Sequence, residues 1–155
     1  YRSKNASCNL SKGLFSLDLA DAYPPESGCR KWVRTYRLAP KGTPSVTITD
    51  SFALDARRQP DVEHFLVKGS VVLPGGTHQG RTLPDGELLI VCDEGLVVKM
   101  TFPASLKASV DVMELTDRRF SGVWGRSLRR INLASAPDAP AKGSYEFRIT
   151  ELGKK

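Results

Sequence analysis

The segment Arg118–Arg130 holds five arginines, Arg118, Arg119, Arg126, Arg129 and Arg130, and no acidic residue. Trp124 lies among them. A guanidinium presents a planar fork of donors that fits carboxylate, sulfate or phosphate. An aromatic ring beside such forks adds a flat apolar surface. Nucleic acid, an acidic polysaccharide or an acidic protein face all answer to this chemistry. So does a solvated strand–loop–strand whose arginines pair with carboxylates elsewhere in the domain. The net charge of +6 favours acidic partners of any class.

A second aromatic–arginine set lies on Lys31–Leu38, where Trp32, Arg34, Tyr36 and Leu38 alternate against Val33, Thr35 and Arg37. It has two readings. The aromatics stack a sugar ring while Arg34 grips its acid group, or the aromatics are core and Arg34 is at the rim.

Groups suited to catalysis are sparse. There are two histidines. His64 shares a strand face with Val62 and Leu66, the setting of a hydrogen-bonded histidine at a sheet surface or edge. His78 lies in Pro74-Gly75-Gly76-Thr77-His78-Gln79-Gly80, a loop able to present an imidazole to a ligand. His64, His78, Cys92 and Asp93 are the only tempting metal ligands, and their spacing fits no zinc signature. No Gly-x-Ser-x-Gly elbow and no phosphate-loop pattern occur. The three cysteines are Cys8, Cys29 and Cys92, an odd count that leaves at least one free or paired with another chain. Cys92, in the apolar run Leu88–Cys92, reads as a buried thiol acting as a small hydrophobe. None of the three lies in an evidently electropositive stretch. A Cys8–Cys29 bridge stays open.

The elements that must position these residues are strands. Val46, Ile48, Phe52 and Leu54 fall on one face of a run whose other face carries Thr47, Thr49, Ser51 and Asp55. Asp50 is the one polar residue on the apolar face. That period of two is a strand with one side buried and one side wet. It recurs at Leu14–Ala20, Lys31–Leu38, Val62–Lys68, Leu96–Phe102, Val110–Leu115, Leu128–Ala134 and Ser144–Leu152, and the apolar run Glu87–Cys92 reads as a further strand. Asp21–Gly28, Ala39–Pro44, Ala56–Pro60 and the broken stretch Gly69–Gly86 are turns and loops, the last with a short apolar piece at Val71–Leu73. Asp93-Glu94-Gly95 suits a three-residue hairpin loop, because glycine takes positive φ without penalty. No helical spacing persists, and no repeat or linker divides the chain. The 155 residues therefore predict a single domain, an antiparallel β-sandwich of about 10–12 strands, with a closed barrel as runner-up. No run approaches the ~20 apolar residues of a membrane span. No signal peptide is visible, and a start at Tyr1 without methionine points to a processed product or a piece of a longer protein.

An ordered set of segments carries a resemblance. Phe15-Ser16-Leu17-Asp18-Leu19-Ala20-Asp21-Ala22-Tyr23-Pro24 is followed by Trp32-Val33-Arg34-Thr35, then Val46-Thr47-Ile48-Thr49-Asp50-Ser51-Phe52. Glu63-His64-Phe65-Leu66, Val123-Trp124-Gly125-Arg126-Ser127-Leu128-Arg129-Arg130-Ile131 and Gly143-Ser144-Tyr145-Glu146-Phe147-Arg148-Ile149-Thr150 come after. In order and spacing, the set resembles the carboxy-terminal β-rich module of heparinase II/III-like polysaccharide lyases. That family cleaves acidic polysaccharides such as glycosaminoglycans or alginate by β-elimination. The resemblance implies that the catalytic residues belong to an α/α-toroid domain of a parent protein, which this chain lacks. It implies a non-catalytic module supporting that domain and contacting acidic polysaccharide. A stand-alone binding module for acidic glycans and an active lyase are the alternatives. The expected ligand contacts are Trp124, Arg126, Arg129, Arg130 and His78. No catalytic residue, metal or cofactor, and no nucleic acid or membrane partner, is expected. Under this resemblance the protein is periplasmic or secreted.

Overall fold

The computed structural model describes residues 2–55 and 60–154, so most of the expected turn Ala56–Pro60 lies outside the described residues. The fold is all-β, built from antiparallel sheets in a sandwich-like arrangement. Thirteen strands are described: β1 (Lys4–Asn9), β2 (Leu14–Asp18), β3 (Cys29–Ala39), β4 (Ser45–Leu54), β5 (Val62–Val67), β6 (Ser70–Val72), β7 (Thr77–His78), β8 (Arg81–Thr82), β9 (Glu87–Val91), β10 (Leu96–Thr101), β11 (Lys107–Glu114), β12 (Ser127–Ala134) and β13 (Lys142–Lys154). One short helix, α1 (Arg118–Trp124), stands between β11 and β12.

The chain gathers into two compact units. The first comprises Tyr1–Pro60 and Pro137–Thr150. Its strands run in the order β1-β2-β3-β4-β13, each antiparallel to its neighbour. Cross-strand register sorts the side chains into rows. Trp32, Phe52 and Gly143 form one row, and Leu17, Arg34, Asp50 and Tyr145 the next. Phe15, Tyr36, Ile48 and Phe147 form a third. The Trp32 and Phe52 rings stack with centroids 5.2 Å apart, and Phe52 meets Tyr145 at 4.8 Å. Gly143 makes room for this: a Cβ there would lie 3.2 Å from Phe52 Cζ. The other face is polar, with a Ser16–Thr35 hydroxyl contact of 3.1 Å.

Trp32 is buried, and the Arg34 fork is taken by Asp50, with Nε–Oδ1 at 2.7 Å and Nη2–Oδ2 at 2.6 Å. That arrangement corrects the sugar-stacking reading of this strand. Trp32 is core, Tyr36 is half-buried, and Arg34 neutralises the buried Asp50 carboxylate.

The second unit comprises Asp61–Ala136 and Glu151–Lys155. It contains the run β10-β9-β6, the three-stranded sheet β11-β12-β5 and the hairpin β7-β8. Leu88, Leu89 and Ile90 on β9 are all buried, so β9 is covered on both faces. Leu83, Leu89 and Val97 cluster on one side, with Val72 packed against them. Met100, Ile131 and Leu133 are fully buried. The Asp93–Gly95 loop joins β9 to β10 as a tight turn, with Gly95 at φ 76°.

Three features depart from the expected map. The two-residue strands β7 and β8 pair as a hairpin inside Gly69–Gly86, expected as loop. β1 is additional: none of its residues is buried, and no apolar alternation marks it. The arginine-rich segment is not a strand–loop–strand: it begins as α1. Asp117 caps that helix by accepting the Arg119 N–H at 2.8 Å, and Gly125 ends it at φ 86°.

Candidate functional site

Within the second unit, three chain segments line an open, shallow cleft of about 490 Å³. The β5–β6 turn supplies Lys68, Gly69 and Ser70, and the end of β9 supplies Val91, Cys92 and Asp93. The segment from α1 into β12 supplies Trp124, Gly125, Arg126, Ser127 and Arg129.

Local backbone chemistry holds each wall. Gly69 sits at φ 126° against β9, where a Cβ would collide with the Val91 carbonyl. The third wall is tied to the end of β11 by the Leu115 N–H, which donates to the Arg126 carbonyl at 2.8 Å. Three cations, Lys68, Arg126 and Arg129, face the cleft with one carboxylate, Asp93. Lys68 pairs with Asp93 at 3.0 Å, and Arg129 donates to Ser127 Oγ at 3.1 Å. No described carboxylate pairs with Arg126. The lining is therefore cationic, with one half-exposed indole at its border. It suits an anion carried on a flat or ring-shaped body.

The structure brings together Trp124, Arg126 and Arg129 of the expected contact set and separates the other two. Arg130 is one residue beyond Arg129, so strand alternation turns it to the opposite face of β12. There Nη2 donates to Asp111 Oδ2 at 2.8 Å. His78, in the β7–β8 hairpin opposite Arg81, does not line the cleft, and its Nε2 is buried. Arg130 and His78 therefore lie outside the cleft that Trp124, Arg126 and Arg129 share. Arg119 is also engaged, pairing with Asp117 at 2.8 Å. The guanidinium and the capped backbone N–H hold the Asp117 carboxyl below its usual range.

His64 is hydrogen-bonded at a sheet surface, in line with its strand setting. Asn132 Nδ2 donates to Asp111 Oδ2 at 2.9 Å, which turns Asn132 Oδ1 towards His64 Nδ1 at 2.8 Å. His64 Nδ1–H is then the donor. Arg130 and Asn132 together hold Asp111 below the ordinary carboxylate range.

Cys8, Cys29 and Cys92 are all free, so the Cys8–Cys29 bridge is absent. Cys92 is half-buried and lines the cationic cleft, which corrects both its reading as a core hydrophobe and the absence of an electropositive setting. Among the described residues, no three His, Cys, Asp or Glu side chains gather as a metal site.

Sequence reasoning missed Lys68 and Ser70 as lining residues. Each is ordinary in its local context, and only the pairing of β6 with β9, Ser70 opposite Val91, places them at the cleft. No protein-family model matches the chain, and no curated protein matches it.

Proposed function

We propose that this chain is a non-catalytic β-sandwich module that binds acidic polysaccharide in the Lys68–Arg126–Arg129 cleft. The observation that carries this reading is the joint placement of Trp124, Arg126 and Arg129 along one open cleft of about 490 Å³. That volume falls in the ordinary range of small-ligand sites, roughly 300–1,000 Å³. The guanidinium forks take the carboxylate or sulfate, and the indole packs on the sugar ring. Neither histidine lines the cleft, which favours binding over elimination. The parent suggested by the sequence is a heparinase II/III-like lyase, whose toroid domain would hold the chemistry and be this module's partner.

Calorimetric titration with heparin, alginate and a neutral glucan tests the reading. Heparin and alginate bind, the glucan does not, and the apparent affinity falls as salt rises. Arg126→Gln with Arg129→Gln removes two charge-assisted contacts. At about 1.5–3 kcal/mol each, their joint loss weakens binding by at least about a hundredfold. Equal binding of all three polymers, or of none, rejects the proposal.

A further inference from the structure

We propose that the exposed apolar face of α1 is a contact site for an anionic lipid surface. Phe120, Val123 and Trp124 stand at i, i+3 and i+4, which puts them on one side of the helix. They are 58%, 69% and 50% exposed. A helix in a globular protein ordinarily turns such a stripe to the core. Here no residue of α1 is buried, and six of its seven residues are exposed. Among the described residues, three of the eleven exposed large apolar side chains thus fall within residues 120–124.

Charge selects the occupant. Arg118 opens the helix and Arg126 follows its cap, and no described carboxylate pairs with either. No acidic residue occurs anywhere in Arg118–Arg130. Apolar and aromatic side chains on one face with arginines around them are the composition of an interfacial helix. Tryptophan and phenylalanine suit the boundary between headgroups and acyl chains. A bilayer needs no matching pocket, only projecting apolar groups and cations to meet its phosphates. The sequence predicted no membrane partner because it holds no spanning run. No described helix is long and apolar enough to cross a membrane, and a surface contact requires none.

Phe120 and Val123 lie outside the cleft, so this surface can be tested apart from glycan binding. The full chain is sedimented with vesicles of phosphatidylcholine alone and of phosphatidylcholine mixed with phosphatidylglycerol. Binding to the mixed vesicles only, weakening as salt rises, is expected. Trp32 is buried, so a blue shift of the indole emission on binding reports Trp124. Phe120→Ser with Val123→Ser loses vesicle binding yet keeps the heparin titration and the melting curve of the parent. Arg118→Gln weakens vesicle binding about fivefold, the worth of one surface cation. The proposal is overturned by absent binding, by equal binding to both vesicle types, or by an unaltered double variant. It is overturned too if the face proves to be a self-association surface, seen as a concentration-dependent dimer that the double variant abolishes.

Discussion

At the scale of single residues, Asp50 carries the most physical information. Its position was legible as an anomaly, a carboxylate on the apolar face of β4. Its partner was not, because a period of two shows which face a residue takes but not which residue stands opposite. Register supplies that: Arg34 pairs directly across from Asp50. Asp50 is fully buried, and the Arg34 side chain is 21% exposed. Removing one member of such a pair strands the other charge. Asp50→Ala is therefore expected to cost about 3 kcal/mol, the lower end for a buried pair because the guanidinium still reaches water. Replacing both, Arg34→Met with Asp50→Leu, restores most of that stability, since apolar neighbours surround the row. Urea midpoints of the two variants decide it. A double variant less stable than the single would show that the ion pair stabilises the fold more than apolar packing can. The same logic separates Arg129 from Arg130. Both were expected as ligand contacts; strand alternation puts them on opposite faces, and the pairing of Arg130 with Asp111 says which one keeps its charge for a ligand.

At the scale of elements, most strands were legible because burial on one face imposes the alternating pattern. The observed bounds of β3, β4, β5, β9, β10 and β12 lie within about two residues of those expected, the ordinary ambiguity of strand ends. The failures have specific causes. β1 lies at the end of its sheet and buries nothing, so its composition is free of the signal. In α1 the apolar spacing of three and four spans only seven residues, too few for a period to declare itself. The capping residues Asp117 and Gly125 are the readable signs of that helix, and the arginines beside them draw the eye to charge instead. Turns matter as much as strands for the cleft. Gly69 brings Lys68 and Ser70 against the end of β9, with no space for a side chain. Gly80, also at positive φ, has nothing within 4 Å of where a Cβ would be. Both substitutions to alanine carry the left-handed backbone cost of about 1–2 kcal/mol. Only Gly69→Ala adds a clash with the Val91 carbonyl. It is expected to lower the melting temperature clearly more than Gly80→Ala, and to weaken heparin binding by displacing Lys68. Indistinguishable melting temperatures would show that the turn relaxes without cost.

At the scale of the whole molecule, the all-β class followed from periodicity, whereas the assembly of the cleft did not. Its walls come from residues 68–70, 91–93 and 124–129, and their convergence depends on the order of strands in space. Charge shows the same division. The net charge of +6 is a property of composition, but which cations are free depends on their carboxylate neighbours. Those neighbours also set the response to acid. Arg81 holds Glu87 below its ordinary range through a 2.6 Å hydrogen bond, and Glu87 is itself a buried residue. Asp111 and Asp117 are lowered likewise by Arg130 and Arg119. A carboxyl with a lower pKa when folded gives up its proton more readily in the native state. The unfolded chain therefore takes up protons first as acid is added. The stability from these three pairs is complete above the unfolded carboxylate range, about pH 4, and is lost as pH falls through and below it. Asp111 and Asp117 are open to solvent, so salt screens their share, while that of Glu87, a buried carboxylate beside a half-exposed Arg81, is screened less. Glu87→Gln isolates this pair. In high salt, its urea midpoint should lie below that of the parent protein at pH 7 and converge with it as pH falls through the lowered pKa of folded Glu87, where the parent side chain also becomes neutral. A gap that stays constant over that range would assign the loss to packing and remove the Arg81–Glu87 pair from the acid response.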